Sequence, residues 1–447
     1  MWHWFRPSLR QRSRSGATLA SLLTVLVFVV SALAACGTSS AQATGTVNLT
    51  FWSFDAPEQK QVDLFNRTHS NIHVTYYRAQ SGFGQYYPRV LTAVRAGNAP
   101  DVALMEYQYI PTMVSNQALV DISKYGANDV KSQFDAAAWA LSGANGAQYG
   151  YPQDTGPMAL YYNKATFQKA GISSPPATWD EFAADAVKIH NLGKDYYISA
   201  FPPQSTGWFQ GLEWQSGAQW FAINSGQQAW TVSVNGAAAK KVADFWQNLL
   251  DKGLVSTVAD FSNDWNAGLD KGTVATWPSA VWGQGVISGN AKNQTGKWAV
   301  ATMPQWTAGG KATAMWGGSA ISVIAGTKHP KEADEFARWY LTNQDSLQIG
   351  VKEIGWYPSN LQARSTAVTS PNAYYGNQVI DQVFVSEDVQ SGWLFPPNLT
   401  SVTNLQGNDF SQAVANHTSL SAALDNLQSQ VCSDLKGNGI SVDKSCG

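Results

Sequence analysis

The sequence predicts an α/β protein, and three observations carry that prediction. Short stretches with strand periodicity alternate with helical ones, the first five elements read βαβαβ, and a chain of 447 residues exceeds what one hydrophobic core usually supports. In 47–54, Val47, Leu49 and Phe51 alternate with polar neighbours, the period of a strand. A helix follows, because Asp55 and Glu58 have capping-box spacing and Val62 and Phe65 continue an apolar face. Residues 72–76 read as a second strand, 87–96 as a helix with Val90, Leu91 and Val94 inward, and 100–105 as a third strand. This order implies a mainly parallel sheet with right-handed crossovers.

A second unit opens at 149–157, where glycines and prolines mark a crossing or linker, and 158–162 is strand-like. Thr178 and Glu181 form a capping box for the helix that follows, with Phe182, Ala186, Val187 and Ile189 as its buried face. Residues 317–325 read as a strand, and Pro330 begins a helix with Ala333, Phe336, Ala337, Tyr340 and Leu341 at helical spacing. Periodicity leaves open which unit this pair extends. No internal repeat is apparent.

The formal charge of -2, with only 13% charged residues, argues against a nucleic-acid surface, which needs clustered Lys and Arg. Aromatics make up 12% of the chain, with 19 tryptophans and 17 tyrosines, and rings with a polar handle suit neutral, half-polar ligands. Phosphate loops, dinucleotide fingerprints, nucleophile elbows and the His-Glu-x-x-His zinc motif are all absent. His69 and His73 are four apart but lack a third metal ligand. No cofactor or metal is expected.

The N-terminus carries Arg6, Arg10, Arg12 and Arg14, then an apolar run from Ala17 to Ala35, then Leu33-Ala34-Ala35-Cys36, the three parts of an export signal over residues 1–35. By length alone the run also suits a membrane-spanning helix. The tetrad ending in Cys36 resembles the lipobox of bacterial lipoproteins, which implies lipidation at Cys36. Residues 36–45 are small and polar and read as a tether, reaching on the order of 18 Å by random-coil scaling. Cys432 and Cys446 are expected to pair as a disulfide, with no histidine near either to suggest a metal.

Five phrases resemble one family, the family 1 extracellular solute-binding proteins that serve bacterial ATP-driven sugar importers. They are 96–102 (Ala-Gly-Asn-Ala-Pro-Asp-Val), 151–164 (Tyr-Pro-Gln-Asp-Thr-Gly-Pro-Met-Ala-Leu-Tyr-Tyr-Asn-Lys), 176–182, 269–275 and the Gly-Gly-Ser at 317–319. The resemblance implies a two-lobed periplasmic-binding-protein-like fold, with hinge-linked lobes and the ligand between them. It places the N-lobe at 46–153 and 319–355 and the C-lobe at 156–315 and 359–447. The crossings then fall near 153–156, 316–319 and 355–359.

In open α/β sheets ligands bind beyond the carboxyl ends of the strands, which points to Trp52 and Asp55 after the first strand and to Tyr107 and Gln108 after the third. Asp55 has a competing role as a helix cap. Asp154, in the first crossing, has no obvious helix to cap and is a carboxylate candidate. Spacing from Gly272 matches Trp282 to the family's sugar-stacking aromatic, a flat ring for the apolar face of a pyranose. Trp277, five residues earlier, reads as core or hinge packing. Trp208 and Trp214 suggest cleft loops, although a helix there would bury either ring, and Trp316 and Trp393 are placed near the cleft.

The expectation is a monomeric, non-enzymatic, lipid-anchored receptor on the extracytoplasmic face that hands a carbohydrate, an oligosaccharide by preference, to the permease subunits of an importer. The alternatives are a secreted glycoside hydrolase, which needs two carboxylates flanking the bond, and a binding protein for a polyol or peptide.

Overall fold

The computed structural model describes residues 45–54, 58–79, 83–224, 229–367 and 369–447. The export signal, Cys36, most of the tether and Asp55 lie outside the described residues. No helix among the described residues is long and apolar enough to cross a membrane.

Strand β1 (Val47–Ser53) leads through helix α1 (Gln59–Thr68) to β2 (Ile72–Arg78), then through α2 (Phe83–Ala96) to β3 (Val102–Glu106). β1 pairs in parallel with both neighbours, Val47 opposite Ile72 and Phe51 opposite Val102. Its alternate residues Leu49 and Phe51 are buried. They pack with Val62 and Phe65 of α1 in one core. The expected cap partner of Glu58, Asp55, lies outside the described residues, and α1 begins directly after Glu58. The helix predicted to begin at Tyr87 starts a turn earlier, at Phe83, with Pro88 in its first two turns.

After helix α3 (Ile110–Ser115) the chain forms the short strand β4 (Tyr151–Pro152) and then β5 (Met158–Asn163). Helix α4 (Trp179–His190) carries the complete capping box of Thr178 and Glu181. Its buried face is Trp179, Phe182, Asp185, Ala186 and Ile189. Val187 is 47% exposed and does not belong to that face. At 100° per residue it lies about 140° around the helix from Phe182.

Helices α5 (Thr206–Gln215) and α6 (Asn263–Lys271) and strands β6 (Thr276–Ala280) and β7 (Trp298–Ala301) follow. β6 and β7 flank β5 antiparallel, forming a second sheet in the order β6-β5-β7. Strand β8 (Ser319–Val323) then returns to the first sheet, antiparallel to β3 and β4, completing the order β2-β1-β3-β8-β4. Phe336 and Tyr340 of helix α7 (Pro330–Thr342) meet Phe51 edge-on at 5.6 Å each. The C-terminal helices α8 (Leu399–Asn416) and α9 (Leu420–Gly437) pack together, and Cys432 is disulfide-bonded to Cys446.

The two sheets are the frameworks of two lobes, and three chain segments run side by side between them. Gln153 donates its backbone N–H to the Ser319 carbonyl and Ser359 donates to the Gln153 carbonyl, while Thr155 donates to Tyr357 and Trp316 to Gly156. Gly156 is required by this lacing, because a Cβ there would sit 2.4 Å from the Trp316 carbonyl oxygen. Gly318 is required twice over: its φ is +98° and a Cβ would meet the Tyr107 ring at 2.7 Å.

Candidate functional site: an aromatic cleft at the crossings

Beside the second crossing lies a narrow cavity of about 10 Å³, room for about one water. Drug-sized ligands usually occupy more than about 300 Å³, so a ligand enters only if the lobes separate. Both lobes contribute walls: Gln108 follows β3, and Gly207, Gln210, Gly211 and Trp214 belong to α5. Met315, Trp316 and Gly317 form the crossing side, and Trp393 and Phe395 come from a late loop. None of these lining residues is charged, so the cavity offers flat rings and amides rather than ionic partners.

Two of the rings, Trp214 and Trp282, are fixed by indole hydrogen bonds. Trp214 donates its indole N–H to the Gln390 carbonyl at 2.6 Å and lies parallel to Trp393, centroids 5.4 Å apart. Trp316 rests on Gly207, where a Cβ would come within 2.9 Å of its indole nitrogen. Trp282 donates to the Trp316 carbonyl at 2.7 Å, and the two rings meet edge-to-face at 4.6 Å. Trp282 is half-buried, whereas Trp277 in the same stretch is 3% exposed and packs edge-on to Trp265. The turn residues between them allow this split: Pro278 to Ala280 complete β6, and Gly283 sits over the Trp277 ring.

The polar groups are also held. Gln210 donates to the Gln406 side chain at 2.8 Å, and Gln108 donates to the Glu106 carboxylate at 3.0 Å. Glu106 also accepts from Tyr87, whose hydroxyl is pushed well above its ordinary pKa, first by burial and then by that carboxylate. Just after the loop that carries Trp393 and Phe395 the lobes touch, Leu399 N–H donating to the Thr112 hydroxyl at 3.3 Å and the Ser115 hydroxyl to the Pro397 carbonyl at 3.4 Å.

Of the predicted residues, Gln108, Trp214, Trp316 and Trp393 come together in the cavity, and Trp282 adjoins it through Trp316. Four placements differ from a ligand-facing role. Trp208 is 1% exposed and donates to the Pro278 carbonyl, packing edge-on to Trp246 in the core. It lies about 120° around α5 from Trp214, so of these two buried rings only Trp214 reaches the cavity. Tyr107 is 1% exposed and donates to the Asp154 carbonyl at 2.7 Å, bracing the crossings from behind Gly318. Asp154 accepts from the Ser319 backbone N–H at 2.9 Å, so one carboxylate oxygen ties the first crossing to the second. Trp52 faces a separate groove of the first sheet, under the Arg89 guanidinium at 5.0 Å and alongside Tyr77. Sequence reasoning missed Gln210, Gly207, Gly211 and Phe395, although all lie inside the stretches that drew attention to Trp208, Trp214 and Trp393.

Thr155 and Pro157, alternating with Gly156, line a second interlobe gap with Glu387, Tyr357 and the ion-paired Arg364 and Asp135. Glu387 accepts from the Met303 backbone N–H at 2.6 Å, and burial pushes its carboxyl up to about 8.

Two α/β lobes laced by three crossings around an uncharged aromatic cleft define a hinged solute-binding protein. Residues 52–346 match the family model described as bacterial extracellular solute-binding protein, and the chain belongs to that family. Among solved structures, it is similar to the galacto-N-biose/lacto-N-biose I-binding protein of the Bifidobacterium longum ABC transporter in complex with lacto-N-biose. That match has 27% identity and a TM-score of 0.79 over 89% of this chain and 99% of that one. The ABC transporter-associated binding protein of Bifidobacterium animalis subsp. lactis with β-1,6-galactobiose is also 27% identical, with a TM-score of 0.75 over 90% and 100% of the two chains. An arabinooligosaccharide-binding protein of Halalkalibacterium halodurans is 22% identical over 401 residues, which is 83% of this chain and 84% of that protein.

Proposed function

We propose that this protein captures a neutral oligosaccharide in the cleft between its lobes and delivers it, unchanged, to the permease subunits of an ABC importer. The observation that carries this reading is the uncharged cavity walled by Trp214, Trp316, Trp393 and two glutamines. Indole faces recover apolar area from the C–H faces of a sugar, while Gln108 and Gln210 offer amides to its hydroxyls. Trp282 supports the wall and presents its own half-buried ring. The relatives named for, or solved with, saccharides bring the same ligand class to this chain. The cavity lining carries no carboxylate, so the acid pair that glycoside hydrolysis requires has no support there.

The protein acts as a monomer, tethered by a lipid on Cys36 to the extracytoplasmic face of the membrane. Support for the tether comes from the sequence alone, through Leu33-Ala34-Ala35-Cys36 behind a basic and apolar leader. The test is a titration of tryptophan emission in the full chain with galactose, lactose, β-1,6-galactobiose and arabino-oligosaccharides. A saturable shift with intact sugar recovered afterwards is expected. Cleaved product would overturn the receptor reading.

A further inference from the structure

Phe261 is the feature that the fold and the cleft do not explain. It is a phenylalanine with φ +60°, a left-handed conformation that favours Gly or Asn, and its side chain is left 50% exposed. The ring rests against Trp265 and Trp277, with centroids 5.6 and 6.0 Å away, and contributes to their cover. With half of its surface exposed, it also turns one face outward. Strained residues persist where the surrounding structure holds them for use.

Its position supplies the use. The Phe261 ring is 6.4 Å from Trp282 at an interplanar angle of 35°, and Trp282 is 4.6 Å from Trp316 in the cavity wall, so three rings form a path leading out of the cleft. The loop is anchored to the cleft helix, because Ser205, immediately before α5, donates its hydroxyl to Asp260 at 2.5 Å. That bond occupies Oδ2 of Asp260, a half-buried residue next to the exposed ring. A flat apolar face beside a carboxylate oxygen is the pairing that a pyranose or furanose, with its C–H face and hydroxyl rim, would meet.

We infer that Phe261 and Asp260 form an outer subsite that binds a distal sugar ring of a neutral oligosaccharide whose first ring occupies the cleft. This rests on the carbohydrate reading of the cleft and assigns to Phe261 the selection of ligand length.

The test compares the wild-type full chain with Phe261→Gly, which removes the ring and relieves the backbone, and Phe261→Tyr, which keeps the platform. Calorimetric titrations use galactose, β-1,6-galactobiose, arabinose, arabinobiose and arabinotriose. The wild type should bind the longer members of a series more tightly than the monosaccharide. Phe261→Gly should lose about tenfold or more for the longer sugars, with monosaccharide affinity changed less than about twofold, and Phe261→Tyr should match the wild type. Its unfolding midpoint should equal or exceed the wild-type value, and should it fail to fold, Phe261→Leu carries the same comparison. Equal losses for short and long sugars, or no loss, would overturn the subsite while leaving the cleft reading intact. A wild type that binds monosaccharide as tightly as trisaccharide would do the same. Silence of the wild type toward every sugar would overturn the cleft reading and the subsite with it.

Discussion

Trp208 and Trp214 share one helix and are both buried, at 1% and 3% exposed, but only Trp214 lines the cavity, which makes them a paired comparison. Trp214→Ala removes a cavity wall and Trp282→Ala its neighbour, and each is expected to weaken saccharide binding by about 2 kcal/mol or more, the size of an aromatic hot spot. Trp208→Ala opens a core cavity instead and should cost about 3–5 kcal/mol of stability, while the folded fraction keeps its affinity. Calorimetric titration beside denaturant unfolding separates the two outcomes, and a Trp282→Ala loss below about 0.5 kcal/mol would reassign that ring to packing. These fates were only partly legible in the sequence. A tryptophan in a helical stretch declares that it will be shielded, but whether by core or by ligand depends on which neighbours the fold brings to that face. Glu387 is a similar case, since only the fold buries it. Its folded pKa of about 8 lies above the ordinary 4.5, so the native state holds the proton while the unfolded state releases it. Stability from this group is complete below about pH 4.5 and is lost as pH rises toward about 8. Glu387→Gln should therefore gain on the wild type in unfolding midpoint across that window, and parallel curves would refute the assignment.

Local signals wrote the elements well where the cause was local. The box of Thr178 and Glu181 needs only four consecutive residues, and it appears intact at the start of α4. Val187 was misjudged because an apolar side chain was counted into a face whose direction the helix period does not allow. β8 posed a different difficulty: nothing within Ser319–Val323 says which sheet it joins, and its pairing with β3 is set more than 200 residues away in sequence. About half that distance separates Gly207 on α5 from Trp316 on the crossing, and their contact is close enough to test. Gly207→Ala places a Cβ against the indole nitrogen at 2.9 Å and should displace Trp316, weakening saccharide binding while leaving the unfolding midpoint nearly unchanged. Binding equal to the wild type would show that the ring gives way without consequence. At the C-terminus, the bridge from α9 to Cys446 closes a short loop of separation 14. Reducing it should lower unfolding free energy by about 3 kcal/mol in the chain-entropy model, read as a lower denaturant midpoint with reductant present.

For the molecule as a whole, the βαβαβ opening and the family phrases made two lobes and three crossings legible, but the register of the crossings depends on backbone bonds that no local pattern encodes. Those bonds define how the molecule can move. The three crossings are laced by main-chain hydrogen bonds, whereas the lobe edges meet near the cavity through contacts as slight as Leu399 to Thr112 and Ser115 to Pro397. Slender contacts of this kind break at low cost, and the closed cavity is too narrow to admit a sugar, so ligand must enter an open form and be enclosed afterwards. A ligand shifts such an equilibrium only through its greater affinity for the closed state. Small-angle scattering on the full chain should therefore show the radius of gyration falling as an oligosaccharide saturates tryptophan emission. The same titration should raise the unfolding free energy by about 2.7 kcal/mol at a hundredfold excess over Kd. Thr112→Ala, which removes one closing bond without touching the aromatic wall, should weaken affinity mainly through faster release. If emission saturates while the radius stays constant, the sugar is binding without hinge motion, and the touching lobe edges are a fixed seam rather than a gate.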